Sequence, residues 1–150
     1  MGILVLPGRP LSRGGFVTTN NTVYKVVGPL GAGTWLRRLY LNVSGTAGTI
    51  VGVSGVLSGS QTEDAATHAA GRPLISRRDG TVNGVAAFVA SLVLGEPVSM
   101  VLPLGGVVRG GSQYVLFACS STGAAVTAYW NVGIETVEVR REQGVEKELS

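Results

Sequence analysis

Short runs of alternating apolar and polar residues, separated by turn-forming residues, constrain the fold of this chain more than any other feature. From Val126 through Ala128 and Trp130 to Val132, every second residue is apolar. A period of two is that of a β-strand with one buried face. Most of the 23 glycines lie between such runs, where turns require them. The sequence therefore predicts an all-β fold.

Eight or nine short strands are predicted, with turn signals between them. They are Phe16–Asn20, Thr22–Val27, Trp35–Ser44, Thr49–Leu57, Ile75–Val82, Val85–Leu94, Val98–Leu104, Gln113–Cys119 and Ala124–Val132, with Ile134–Val139 extending the last one. Val85–Leu94 also has helical spacing, but the preceding Asn83-Gly84 is a hairpin signal, so we favour a strand. Strands of this length and spacing are typical of a sandwich or barrel. Of these two, we favour a β-sandwich.

Trp35–Ser44 and Thr49–Leu57 are the strands whose packing can be predicted in most detail. Alternation in the first strand divides its side chains between an apolar face and an opposite face. The first set is Trp35, Leu39, Leu41 and Val43, and the second is Leu36, Arg38, Tyr40 and Asn42. Arg37 falls on the apolar face, so we expect it near a strand end where it can reach water. Thr49–Leu57 mixes Val, Ile, Gly and Ser evenly, which predicts a strand packed on both faces.

Ser60–Gly71 interrupts the β pattern and predicts a short helical insert. Ser60 and Glu63 have the spacing of a capping box, and alanines follow them. Gly71 is in position to end the helix.

The two ends of the chain differ in composition from the middle. Residues 1–15 are rich in Gly, Pro and Arg, which predicts an extended N-terminal arm rather than a folded element. The β-sandwich domain is then expected over 16–139, followed by a charged C-terminal tail over 140–150. Residues 1–134 carry nine Lys and Arg against four Asp and Glu, a balance of +5, whereas 135–150 carry three against five, a balance of −2. The tail is either a solvated segment or a head-to-tail contact between copies.

The scarcity of charge bears on function. Only 14% of the residues are charged and 45% are hydrophobic, whereas roughly a quarter are charged in ordinary soluble domains. So few ionic groups cannot cover the outside of a soluble monomer. We therefore expect part of the surface to be covered by neighbouring subunits.

The residues needed for catalysis or metal binding are scarce. His68 and Cys119 are the only residues of their types, too few for a usual zinc site, and no Gly-x-Ser-x-Gly elbow is present. Glu63, Asp64 and Asp79 lack the ligand ladder of a calcium loop. Gly31-Ala32-Gly33 lacks the third glycine of a nucleotide-binding loop and is interpreted as a turn. We expect no enzymatic activity and no cofactor.

No membrane or export segment is predicted. The longest apolar stretch, Val85–Leu94, is about half of the length a bilayer requires. The apolar run within Met1–Leu6 is too short for a signal peptide. Nucleic acid is not an expected partner either, because three arginine doublets are scattered and aromatic residues are only 6%.

Two segments resemble the end of jelly-roll modules in bacteriophage virion proteins. Residues 101–116 read VLPLGGVVRGGSQYVL and residues 121–130 read STGAAVTAYW. Such modules combine an apolar strand containing Pro, a Gly-Ser turn and a last strand carrying Trp or Tyr. The resemblance covers roughly residues 97–135. Modules of this kind occur in capsid decoration (head auxiliary) proteins and in tail or spike appendages.

The resemblance implies a jelly-roll-like β-sandwich and a viral structural protein. The leading hypothesis is a capsid decoration, or cement, protein that binds the major capsid protein as a homotrimer, on the capsid surface of the virion, after synthesis in the host cytoplasm. The arginines expected to contact the capsid or another subunit are Arg9, Arg13, Arg37, Arg38, Arg77, Arg78, Arg140 and Arg141.

Two alternatives remain open. One is a tail or spike component that binds a host-surface glycan. Exposure of Trp35, Tyr40, Tyr129 or Trp130 together in a groove would favour it, whereas burial would favour decoration. The other alternative is a small β-barrel enzyme that uses His68.

Overall fold

The computed structural model describes residues 3–7, 11–18, 20–74, 79–92, 97–108, 113–123 and 127–141. Eleven strands and one helix lie within these ranges. In chain order they are β1 (Ile3–Pro7), β2 (Leu11–Thr18), β3 (Thr22–Leu30), β4 (Thr34–Gly45), β5 (Ile50–Ser58), α1 (Ala65–Ala70), β6 (Arg72–Pro73), β7 (Gly80–Val82), β8 (Val85–Ser91), β9 (Val98–Val107), β10 (Gln113–Thr122) and β11 (Thr127–Arg141).

The strands form two antiparallel sheets that pack face to face. The first sheet has the order β2-β11-β4-β9, and β1 pairs with the remaining length of β11. The second sheet has the order β3-β10-β5-β8, with β7 paired to β8 and β6 paired to β5. Apart from the short strands β1, β6 and β7, the chain thus winds between the sheets as two Greek keys. This is the jelly-roll topology, and it confirms the predicted all-β sandwich.

The core lies between the sheets and follows the predicted alternation. Ala128, Trp130 and Val132 of β11 are buried, whereas Tyr129 and Asn131 point outward. The largest fully buried side chain is that of Phe117, on β10. β10 and β5 lie at the centre of the second sheet and are buried on both faces, as predicted for Thr49–Leu57.

A β-bulge at Arg37 changes the faces predicted for β4. Leu36 is opposite Thr136 and Arg38 is opposite Glu135, so Arg37 is an extra residue without a partner on β11. A bulge shifts the alternation by one residue. Leu36 therefore joins Leu39, Leu41 and Val43 in the core, and Trp35 points outward. The predicted positions of Trp35 and Leu36 were wrong for this reason.

The helical insert is shorter than predicted. Residues 65–70 form α1, and its N-cap is Asp64, whose carboxylate accepts a hydrogen bond from the Thr67 backbone N–H at 2.8 Å. Glu63 is not part of a capping box, because its carboxylate accepts a hydrogen bond from the backbone N–H of Val26. Gly71 ends the helix as predicted.

The N-terminal segment is extended, but it is part of the sheet. Ile3–Pro7 pairs with 137–141 of β11, and Leu11–Thr18 pairs with 127–134. The prediction that residues 1–15 form an arm outside any folded element was therefore wrong for residues 3–7 and 11–15. The predicted start of the domain, residue 16, lies within β2. Backbone pairing along the free edge of β11 outweighs the low β propensity of Gly and Pro.

Several other predictions concern strand ends. The strand favoured at Val85–Leu94 is β8, and Asn83-Gly84 forms its turn with positive φ at both residues. Of the predicted strand Ile75–Val82, residues 75–78 lie outside the described ranges and 80–82 form β7. β11 runs to Arg141, and residues 142–150 of the predicted tail also lie outside the described ranges.

Candidate functional site

The outward side of the second sheet is covered by the chain itself; we call it the covered face. Leu116 and Ala118 point outward from β10, yet both are fully buried. Segment 59–74 crosses this face, and α1 brings the His68 ring to 5.8 Å from the ring of Tyr24 on β3. β7 lies over the same side, where its Val82 packs against β5 at Gly52. A second apolar layer therefore exists on this side of the sandwich.

Glycines allow these segments to approach the covered face closely. A Cβ atom at Gly71 would lie 2.5 Å from Cγ2 of Val56 on β5. A Cβ atom at Gly52 would lie 3.0 Å from the side chain of Val82 on β7. The covering segments are thus packed against β5 with no room for an additional methyl group at Gly71.

The outward side of the first sheet, formed by β2, β11, β4 and β9, is not covered by the described chain; we call it the open face. Phe16 is 60% exposed, Tyr129 58% and Val101 57%, and Tyr40 is also exposed. Asn131 and Asn42 are exposed polar members of the same face. Large apolar side chains grouped on one surface are a feature of binding sites.

Strand register arranges the open face in rows. Phe16 is directly opposite Tyr129, and Tyr40 is directly opposite Val101. Between these two apolar pairs runs a polar row of Gly14, Asn131, Asn42 and Ser99. The Ser99 hydroxyl donates a hydrogen bond to Oδ1 of Asn42 at 2.7 Å. Two exposed apolar patches are therefore separated by a row of small and amide side chains.

Charge on the open face is confined to one end. Of the described side chains that point outward there, only Arg37, Arg38 and Glu135 are charged. Each arginine has an Nη1 atom 3.7 Å from a carboxylate oxygen of Glu135, and the Tyr40 hydroxyl donates to that carboxylate at 3.2 Å. A hydrogen bond with Tyr40 and, second, the charge of Glu135 raise the pKa of Arg38 above its usual value.

Arg13 links the edge strands of the two sheets, β2 and β3. Its Nη1 donates to the carbonyl oxygen of Val26 at 3.0 Å, and its Nη2 lies 3.7 Å from Glu63. Glu63 also accepts the N–H of Val26 at 2.9 Å. Both backbone groups of Val26, on the edge strand β3, are therefore bonded to side chains. Such protection prevents pairing with another strand at this position.

The structure describes the side chains of three of the eight arginines predicted as contact residues. Arg13, Arg37 and Arg38 each pair with a glutamate of the same chain. Arg140 and Arg141 lie on β11 opposite Leu4 and Ile3, and Arg9, Arg77 and Arg78 lie outside the described ranges. Their role as contact residues stays a prediction.

The aromatic residues proposed for glycan binding are divided between the core and the open face. Trp130 is buried, whereas Trp35, Tyr40 and Tyr129 are partly exposed on the outward side of the first sheet. Tyr40 is opposite Gly133, four residues from Tyr129 along β11, a distance of about 14 Å. They lie on one face but are not adjacent. Sequence reasoning did not identify Phe16 and Val101, although strict alternation along β2 and β9 points both of them outward.

The residues considered for catalysis do not form a cluster. Cys119 is buried in the core, and burial raises the pKa of its thiol to about 12. His68 lies in α1 on the covered face. Within the described ranges, no three His, Cys, Asp or Glu residues are grouped to hold a metal ion. No helix in this part of the chain is long and apolar enough to cross a membrane.

No protein-family model and no curated protein matches this sequence. The chain is similar to a cleaved adhesin domain of Lys-gingipain from Porphyromonas gingivalis, with a TM-score of 0.36, 17% identity, and coverage of 79% of this chain and 63% of that one. It is also similar to a mutant VP2 protein of infectious bursal disease virus in derived T=1 particles, with a TM-score of 0.38, 10% identity, and coverage of 92% and 38%. A structure of the Gx strain of that virus gives a TM-score of 0.37, 14% identity, and coverage of 90% and 37%.

The chain spans less than two thirds of the length of each of these structures. TM-scores this low do not identify a shared fold or function.

Proposed function

We propose that this protein is a viral structural protein, a capsid decoration protein that binds the shell of the major capsid protein as an oligomer through its open face. The observation that carries this proposal is the difference between the two outward sides of the sandwich. The chain covers one side with its own segments and leaves Phe16, Tyr129 and Val101 more than half exposed on the other.

The composition of the open face suits a protein partner. Protein interfaces are enriched in aromatic residues and Arg and depleted in Lys, Glu and Asp. The open face has Phe, Tyr and Trp side chains, two arginines and a single described carboxylate, that of Glu135. This composition supports burial against another protein.

The size of the open face supports an oligomer. Four strands about 4.8 Å apart, each contributing about seven residues at about 3.4 Å, give an area of roughly 450 Å². A standard interface buries about 800 Å² on each partner. A face of this planar area can form one contact of modest size, and several linked copies would bind a repetitive shell more tightly by avidity.

The test measures binding of the full chain to shells of the encoding virus that lack it. Tyr129→Lys and Val101→Lys place a charge in each of the two apolar patches of the open face, and Gln61→Lys adds the same charge at an exposed position outside it. We expect the first two variants to bind at least about tenfold more weakly, because a desolvated charge opposes burial, and the control to bind like the wild type. Unchanged shell occupancy of both open-face variants, with folding intact, would contradict the proposal.

Glycan binding by a tail or spike component is the second candidate. The exposed Phe16–Tyr129 pair beside the amide of Asn131 supports it, because sugars stack on aromatic rings and bond to amides. A glycan array with the same variants separates the two functions. Glycan binding that Tyr129→Lys abolishes, without any shell binding by the wild type, favours the second candidate.

A further inference from the structure

The β-bulge in β4 places two consecutive arginines on the same side of the first sheet. In a regular strand, the side chains of neighbouring residues point to opposite faces. Arg37 is the extra residue of the bulge, and both Arg37 and Arg38 reach the carboxylate of Glu135 from the outward side. Bulges often re-aim side chains at functional positions.

The arginine pair keeps hydrogen-bonding capacity. Both contacts to Glu135 are 3.7 Å, longer than the roughly 2.7–2.9 Å of a charge-assisted hydrogen bond. The side chains are 42% and 50% exposed. Two positive charges share one negative charge, and each guanidinium has five N–H donors. The pair therefore has the charge and the donors to bind a further carboxylate.

The chain contains an acidic segment whose charge is opposite to that of the arginine pair. Residues 142–150 carry Glu142, Glu146 and Glu148 against Lys147, a balance of −2. They follow β11 directly. The last pair between β11 and β4 is Glu138 with Thr34, and 139–141 pair with β1 alone. β11 thus leads the chain away from the arginines before the acidic segment begins.

This geometry favours a neighbouring copy as the source of the carboxylates. Arg141 is six residues beyond Glu135 on β11, a distance of about 20 Å. To reach the arginines of its own copy, the segment would have to reverse and retrace that distance with six or more of its nine residues. The segment of another copy can approach without this reversal.

We propose that the Arg37–Arg38 pair binds the acidic C-terminal segment, residues 142–150, of a neighbouring copy. The contact is heterologous, because different surfaces of the two copies meet, and a heterologous contact forms a ring such as a trimer when the rotation between copies closes. The proposal deepens the oligomeric part of the proposed function and rests on it.

The test measures self-association of the full chain by sedimentation, without shells. Arg37→Gln with Arg38→Gln removes one side of the contact, and Glu142→Gln, Glu146→Gln and Glu148→Gln together remove the other. Arg72→Gln is the matched control, an exposed arginine on β6 of the second sheet. Each of the first two sets should weaken association about tenfold and reduce its dependence on salt, and the control should change neither. Unchanged melting temperatures show that the variants fold.

Combining the two sets decides whether they belong to one contact. If they do, all five substitutions together weaken association no more than either set alone. Reversing the charges on both sides, with Arg37→Glu, Arg38→Glu, Glu142→Lys, Glu146→Lys and Glu148→Lys, should then restore association. Losses that multiply, no loss in either set, or a cross-link from the segment to Arg37 within one copy would overturn the inference.

Shell binding separates this inference from the proposed function. If association survives both sets while Tyr129→Lys abolishes shell binding, the tail contact is wrong and the proposed function holds. If the wild type neither associates nor binds shells, both fail.

Discussion

The two outward sides of the sandwich differ in what the chain does with them. On the covered face, Leu116 and Val56 are buried, and Gly71 of segment 59–74 lies against Val56. On the open face, Val101 and Tyr129 occupy equivalent outward positions and are exposed. Both sheets have the same antiparallel pairing, so the difference arises from the elements that cover one face, segment 59–74 and β7. Apolar residues on one side stabilise the fold, whereas those on the other are available to a partner.

The same charged substitution on each face should give the largest difference in the free energy of unfolding. Val56→Asp places a carboxylate at a position that is 2% exposed, and we expect it to lower the free energy of unfolding by roughly 3–5 kcal/mol because the charge is buried without a partner. Val101→Asp should change it by less than about 1 kcal/mol. Urea unfolding measures both. Similar losses at the two positions would remove the distinction between the faces.

A methyl group added at a glycine on each face gives a smaller contrast. Gly71→Ala places a Cβ atom 2.5 Å from Val56 Cγ2, whereas at Gly133 the nearest atom is 3.8 Å away. We expect Gly71→Ala to destabilise the fold by about 1–3 kcal/mol, because the insert must shift, and Gly133→Ala to be within about 0.5 kcal/mol of the wild type. Thermal unfolding of the pair measures this. A neutral Gly71→Ala would show that the insert is loosely packed on β5.

The predictable parts of the fold depend on local pattern. Alternation in β9, β10 and β11 identified the strands. It also placed the side chains of Tyr129 and Trp130 on opposite faces of β11. The bulge at Arg37 has no local signal, because it depends on the register with β11. The pairing of residues 3–7 and 11–15 was missed because Gly and Pro favour a loop locally, whereas edge pairing with β11 is a tertiary effect.

The candidate site was only partly predictable for a related reason. Alternation places Tyr40 and Tyr129 on the outward face of their strands, but it does not tell whether another segment covers that face. Glu63 is a second case in which local spacing did not determine the partner of a side chain. Its spacing from Ser60 suggests a capping box, yet its carboxylate bonds to Val26, and Asp64 caps the helix.

The smallest expected effect concerns the helix cap on the covered face. A hydrogen bond from the Thr67 side chain and, second, one from its backbone N–H lower the pKa of Asp64. The cap therefore stabilises the fold above the unfolded pKa of about 3.9, and this stabilisation is lost as the pH falls through the lower folded value. Asp64→Ala should lower the melting temperature by a few degrees at pH 7, and this difference should vanish in strong acid.

Asn131→Ala on the open face is the matched control for the cap. It removes an exposed polar side chain that caps no helix, so its melting temperature should equal that of the wild type at both pH values. A difference between wild type and Asp64→Ala that persisted in strong acid would mean that the carboxylate is not the cap.

Hydroxyl-radical footprinting of the full chain, free and bound to shells, measures whether the open face is the surface that the shell covers. We expect Phe16 and Tyr129 to be oxidised readily in the free protein and to lose most of that reactivity on the shell. Gln61, in the segment that crosses the covered face, should react equally in both states. If Phe16 and Tyr129 stayed as reactive on the shell as in solution and Gln61 were protected instead, the open face would not be the surface that binds the shell.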